Sequence, residues 1–106
     1  MTSITKGSTN VYADLEFPDS EQMFLKAQLA EKISQIIHRR HLTQTEAAGI
    51  LGIPQPKLSL ILRGQFRGVS ELKMLECLNR LGRDVQIVVK KAPRAKTLGG
   101  ISVVFG

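Results

Sequence analysis

Residues 44–63 read QTEAAGILGIPQPKLSLILR, and the glycine at position 52 divides them into two short helical patterns. Thr43 stands just before the first pattern and Glu46 follows three residues later, the spacing of a capping box in which hydroxyl and carboxylate satisfy each other's backbone donors. Ala47, Ala48 and Leu51 carry the first helix to Gly52, whose freedom to adopt positive φ suits a tight turn. A second helix is expected from about Pro54 to Leu62, ended by Arg63 and Gly64. Two helices that cross steeply about a short turn can approach closely only past a small side chain. Ala48, four residues before the glycine, provides one. The positions that must face inward (Ala47, Leu51, Ile53, Leu58 and Ile61) are all apolar. These are the requirements of a helix-turn-helix, and each is met.

Outward from this unit the patterns stay helical. Leu29, Ala30, Ile33, Ile36 and Ile37 fall on one face of a 3.6-residue period. They predict a long helix capped by Asp19 or Ser20 and reaching about Arg40. Arg39 and Arg40 suit its negative pole. Ser70 is the expected cap of a fourth helix containing Leu72, Leu75, Leu78 and Leu81, with Gly82 at its stop. Residues 11–15 are expected to make one helical turn before Phe17 and Pro18. In residues 85–89, Val85, Ile87 and Val89 alternate with Gln86 and Val88, a strand-like pattern that Pro93 closes. Residues 101–105 are expected to form a second short strand. The chain divides accordingly into an N-terminal arm with a short helical turn (1–18), a helix-turn-helix domain (19–83), and a C-terminal strand with a basic tail (84–106).

Composition bounds the chemistry. The chain has 106 residues, one domain's worth, and aromatics make up 5% with no Trp, so small aliphatic side chains must fill the core. The net charge of +6 is unevenly spread. Residues 1–22 hold Lys6 against Asp14, Glu16, Asp19 and Glu21, whereas residues 57–96 hold ten Lys and Arg against Glu71, Glu76 and Asp84. An acidic front and a basic back imply a one-sided positive surface of the kind that binds a polyanion. Cys77 is the one cysteine, which excludes an internal disulfide, and its apolar surroundings in sequence predict a buried packing role. No apolar run is long enough for a membrane span, and the N-terminus lacks the apolar centre of a secretory signal, so a cytoplasmic protein is expected. His38 and His41 have no ligand partners at metal spacing. There is no phosphate-cradling glycine loop, nucleophile elbow or carboxylate pair. Neither catalysis nor a cofactor or metal is expected.

The stretches LTQTEAA (residues 42–48) and LSLILRG (58–64) resemble the xenobiotic-response-element, or Cro/repressor-like, helix-turn-helix family. Over roughly residues 11–91 the resemblance extends to one branch. Residues 11–18, LRGQF at 62–66 and LGRDVQIVV at 81–89 look like the HigA-like antitoxin regulators. The resemblance implies a mainly α, lambda-repressor-like domain of four to five helices, with a short C-terminal strand or hairpin available for dimerisation. It also implies a transcriptional regulator whose partners are double-stranded DNA with a palindromic operator, a second copy of the chain, and a cognate toxin whose operon it represses. A stand-alone regulator of the same family would share the DNA chemistry. A toxin-binding interaction module with weak DNA binding would instead be expected to lose the basic character of Lys57, Arg63 and Arg67.

Carried across by position, Gln44 is expected to bind a phosphate at the amino end of the second helix. Gln55, Pro56, Lys57 and Ser59 lie on the early, outward part of the recognition helix, where Gln suits adenine and Lys suits guanine or a phosphate. Arg63 and Arg67 are expected to be phosphate clamps, with Lys73 a further candidate. One departure stands out: the family often caps this helix with Ser, whereas this chain has Pro54 and then Pro56, which removes backbone donors a phosphate could have met. Family members pair so that two such helices reach successive major grooves about 34 Å apart. The 85–89 segment is a candidate for that pairing, the rival arrangement being an intrachain hairpin with residues 101–105.

Overall fold

The computed structural model describes residues 19–94 and 98–106. The expected turn at residues 11–15 and the arm before it lie outside these, as does Lys96 of the basic tail. The described fold is mainly α and holds four helices: α1 (Asp19–Arg39), α2 (Gln44–Leu51), α3 (Gln55–Leu62) and α4 (Glu71–Arg80). Lys26–Gln86 forms one compact unit.

Asp19 is already the first residue of α1, so neither it nor Ser20 is the cap of that helix; local chemistry accounts for the boundaries that follow. The α1 ladder ends in a tightened turn in which Leu42 N–H donates to the Ile37 carbonyl at 3.1 Å, with His41 in the left-handed region at φ 56°. The box that opens α2 is complete: Glu46 N–H donates to Thr43 Oγ1 at 3.0 Å, and Thr43 N–H donates to Glu46 Oε1 at 2.9 Å. Gly52 closes α2 at φ 69°, ψ 31°, and its N–H donates to the Ala48 carbonyl at 2.8 Å. Pro54 stands at the cap of α3 in an extended conformation and Pro56 lies in its first turn, where no intrahelical partner is lost. Ser70 caps α4, with Lys73 N–H donating to its hydroxyl at 3.0 Å.

The predicted face of α1 is buried throughout: Leu29, Ala30, Ile33, Ile36 and Ile37. It shares the core with Ala47, Ala48, Leu51, Ile53, Leu58 and Ile61 of the α2–α3 unit and with Met74, Cys77, Leu78 and Leu81. Along α2 the chain packs against both α3 and α4. Cys77 is a buried free thiol, and burial, the largest influence on it, pushes its pKa above the ordinary range. Leu72, by contrast, is exposed, because α4 turns Met74, Cys77 and Leu78 inward and leaves Leu72 outside that stripe.

The C-terminal strands expected from the sequence do not appear among the described residues of the single chain. No strand forms among the described residues, in 85–89 or in 101–105, so neither a strand nor an intrachain hairpin is present there. Alternation decides which side chains share a face. A strand also needs a neighbour to accept and donate its backbone hydrogen bonds. The alternation is itself imperfect, since Val88 is as apolar as its neighbours. Val85, Ile87, Val88 and Val89 are all exposed, Val89 to 91%.

Candidate nucleic-acid interface

The amino ends of α2 and α3 come together, and the first residue of each helix is a glutamine. Gln55 Nε2 donates to Gln44 Oε1 at 2.7 Å, and both side chains are exposed. This bond fixes two flexible amides in register and consumes one donor and one acceptor. Gln55 keeps its second N–H and its Oε1, an adjacent donor and acceptor, while Gln44 keeps both N–H donors of its own amide.

The rest of α3 sorts by face. Leu58 and Ile61 are buried, and Pro56 on the opposite side is exposed. Lys57 and Ser59 are half-buried, so their polar ends emerge at the margin of the helix. Among Pro54–Leu58 the two prolines have no N–H, and Lys57 and Leu58 donate to the Pro54 carbonyl at 3.0 and 3.1 Å. The Gln55 amide is therefore the one main-chain donor this turn can offer. Arg63 caps the far end of α3 and lies back along it, its Nε donating to the Ser59 carbonyl at 3.4 Å. Arg67 lies in the loop beyond, exposed. Lys73 is drawn toward Glu76 at 3.4 Å, which weakens it as a clamp.

Of the residues expected from sequence, Gln44 and Gln55 are in direct contact, Ser59 and Arg63 are joined through the Ser59 carbonyl, and Pro56, Lys57 and Arg67 share neither of these bonds. Two further residues bear on the site. Lys26 is buried on α1, and its Nζ donates to the Arg67 carbonyl at 2.8 Å. The guanidinium of Arg80 lies over the turn, its Nη1 3.2 Å from where a Cβ on Gly52 would be. Neither contact has a sequence signal, because Lys26 is 41 residues from its acceptor and Arg80 looks like an ordinary last-turn cation. The pairing of Gln44 with Gln55 had none either, since it joins the first residues of two helices 11 positions apart.

Among the described residues no group of three or more His, Cys, Asp or Glu side chains could hold a metal. No described helix is long and apolar enough to cross a membrane.

A paired-helix unit with a polar amide cluster at its outward end defines a DNA-binding regulator of the helix-turn-helix class. The model of a family described as helix-turn-helix domain matches residues 11–90. A solved structure whose name proposes an XRE family transcriptional regulator is 39% identical, covers 84% of this chain and all of its own, and superposes with a TM-score of 0.78. The chain belongs to this XRE-type helix-turn-helix family. No curated protein matches it. Family and fold are those of a DNA-binding transcriptional regulator, and such regulators are not normally enzymes.

Proposed function

We propose that the chain is a sequence-specific repressor that binds a palindromic operator as a homodimer and serves as the antitoxin of a toxin–antitoxin pair. The observation that carries the DNA reading is the 2.7 Å bond between Gln55 and Gln44. An adenine edge in the major groove offers N7 as acceptor and N6–H as donor, the complement of what Gln55 retains. Gln44, held against it, turns its own N–H donors toward the neighbouring phosphate. Lys57 and Ser59 extend the base-facing surface, with Pro56 packed beside them. Arg63 and Arg67 neutralise phosphates on the flank. Arg63 is already steadied by the Ser59 carbonyl, so less side-chain entropy is lost on binding.

In this reading residues 1–18 are an arm, residues 19–83 the DNA-binding domain, and residues 84–106 the dimerisation segment with its basic tail, in a cytoplasmic protein. The exposure of Val85, Ile87, Val88 and Val89 supports edge-to-edge pairing of this segment with its copy in a second chain. The branch resemblance at residues 11–18, 62–66 and 81–89 supports the antitoxin role.

Selection of bound sites from random duplex DNA tests the whole reading. Success recovers a two-fold symmetric site with adenines at matched positions, half-sites one helical turn apart, and a mass in solution of twice the chain. Recovery of no preferred sequence defeats the operator reading, and a monomer that persists at high concentration defeats the dimer. Co-expression with the product of the adjacent gene tests the antitoxin role, which fails if the two do not co-purify.

A further inference from the structure

We propose that Lys26 is a positioning residue for DNA, orienting the Arg67–Gly68 peptide so that the Gly68 amide meets a backbone phosphate. The inference rests on the DNA-binding reading and adds to it a main-chain contact in the loop between α3 and α4.

Lys26 is only 8% exposed, and its ammonium donates to the Arg67 carbonyl at 2.8 Å. Burying an ammonium is unfavourable unless it is well compensated, and one carbonyl is thin compensation. An apolar side chain would serve packing as well. What the lysine adds is control of one peptide group.

The chain has no cis peptide bonds among its described residues, so the N–H of Gly68 points opposite to the carbonyl that shares its peptide plane. With that carbonyl drawn inward to Lys26, the Gly68 N–H is turned outward. Gly68 is exposed, and among the described residues no acceptor receives its N–H. The ammonium also polarises the peptide it grips, which strengthens the donor on the other side.

Glycine at position 68 has no explanation within the domain. Its φ is not in the left-handed region, and a Cβ built there would meet nothing within 4 Å. A residue whose side chain is forbidden neither by backbone nor by neighbours suits close approach of something from outside. The loop is rigid enough to present it. Phe66 and Val69 are buried on either side, Val69 N–H donates to the Phe66 carbonyl at 2.9 Å, and Ser70 immediately begins α4. Arg63 and Arg67 flank the loop with positive charge, and phosphates are commonly held by backbone N–H groups beside such cations.

The test uses the full chain, a labelled random-sequence 30-base-pair duplex, and two variants. Lys26→Met is expected to bind about tenfold more weakly, the loss of one hydrogen bond to a charged group, while its thermal midpoint stays equal or rises. In proton–nitrogen correlation spectra the Gly68 amide moves downfield on adding duplex to the wild-type chain and stays in place in Lys26→Met, a change that general loosening of the fold would not confine to one residue. Gly68→Ala is expected to fold normally and also to bind severalfold more weakly. Wild-type binding with undiminished binding by Lys26→Met overturns the positioning role alone. If Lys26→Met does not fold, Gly68→Ala decides, and wild-type affinity in that variant overturns the contact. A wild-type chain that binds no duplex at low salt overturns the DNA reading and this inference together.

Discussion

Replacing Gly52 by alanine should destabilise the domain, whereas the same change at Gly49, three residues earlier and inside α2, should stabilise it. Gly52 sits at φ 69°, where an L-residue is disfavoured by about 1–2 kcal/mol. Alanine recovers part of this, about 0.4–1 kcal/mol, because it restricts the unfolded chain. The added methyl also comes within 3.2–3.3 Å of the Arg80 guanidinium, which must give way. Arg80 is half-exposed and its partner Glu76 is 4.0 Å away, so the side chain can move at small cost. The sum is a net loss of about 1 kcal/mol, equivalent to a fall of roughly 4–8 °C in the midpoint of a domain of this size. At Gly49 nothing lies within 4 Å of a new Cβ and the backbone is helical. Gly49→Ala should therefore gain about 0.5–1 kcal/mol. Gly64→Ala separates the two contributions at Gly52, since Gly64 also has positive φ (84°) but open space about it. Thermal and urea unfolding of the three variants gives the comparison. A Gly52→Ala midpoint equal to or above that of Gly49→Ala would refute the assignment of position 52 to a left-handed turn, and with it the local basis of the fold.

Further outcomes follow from the same geometry. Thr43→Ala removes the hydroxyl that receives the Glu46 N–H and should cost about 1 kcal/mol in urea unfolding; an unchanged midpoint would mean the box is not formed in solution. On a selected operator, Gln55→Ala should weaken binding by about tenfold and abolish the preference for adenine at one position. Gln44→Ala should act on that same position through its bond to Gln55, so the double variant loses less than the two single losses combined, and strict additivity would deny the coupling. Raising ionic strength should weaken every variant, with the slope reduced by about one when Arg67 is replaced by Gln. The buried Cys77 thiol holds its proton more tightly folded than unfolded. Its contribution to stability is therefore complete below the unfolded thiol's pKa of about 8.5 and is lost as pH climbs above it. The slope of stability against pH above about 8.5 should flatten in Cys77→Ala; an identical slope would exclude the thiol as its source.

Much of the fold was legible because its signals are local. The Thr43–Glu46 box, the Gly52 stop, the Ser70 cap and the apolar stripe from Leu29 to Ile37 each depend on residues within a turn or two of one another, and helices are built from such contacts. The strand expected at residues 85–89 is not found in the single chain for the opposite reason. Alternation is local, but the ladder that makes a strand is not, and among the described residues no second segment pairs with it. Leu72 shows the same limit on a smaller scale: its helical spacing fits a core position, and only the packing of α4 through Met74 and Cys77 leaves it outside.

By itself the order of amino acids determined four helices, the glycine turn between the second and third, and the side chains at the outward end of that unit. Tertiary structure alone decided that Gln44 grips Gln55, that Arg80 lies across Gly52, and that the ammonium of Lys26 reaches the carbonyl of Arg67. Helix geometry repeats every few residues and so writes itself into spacing. Contacts between side chains many residues apart depend on where whole helices come to rest, and no short window of sequence contains that information.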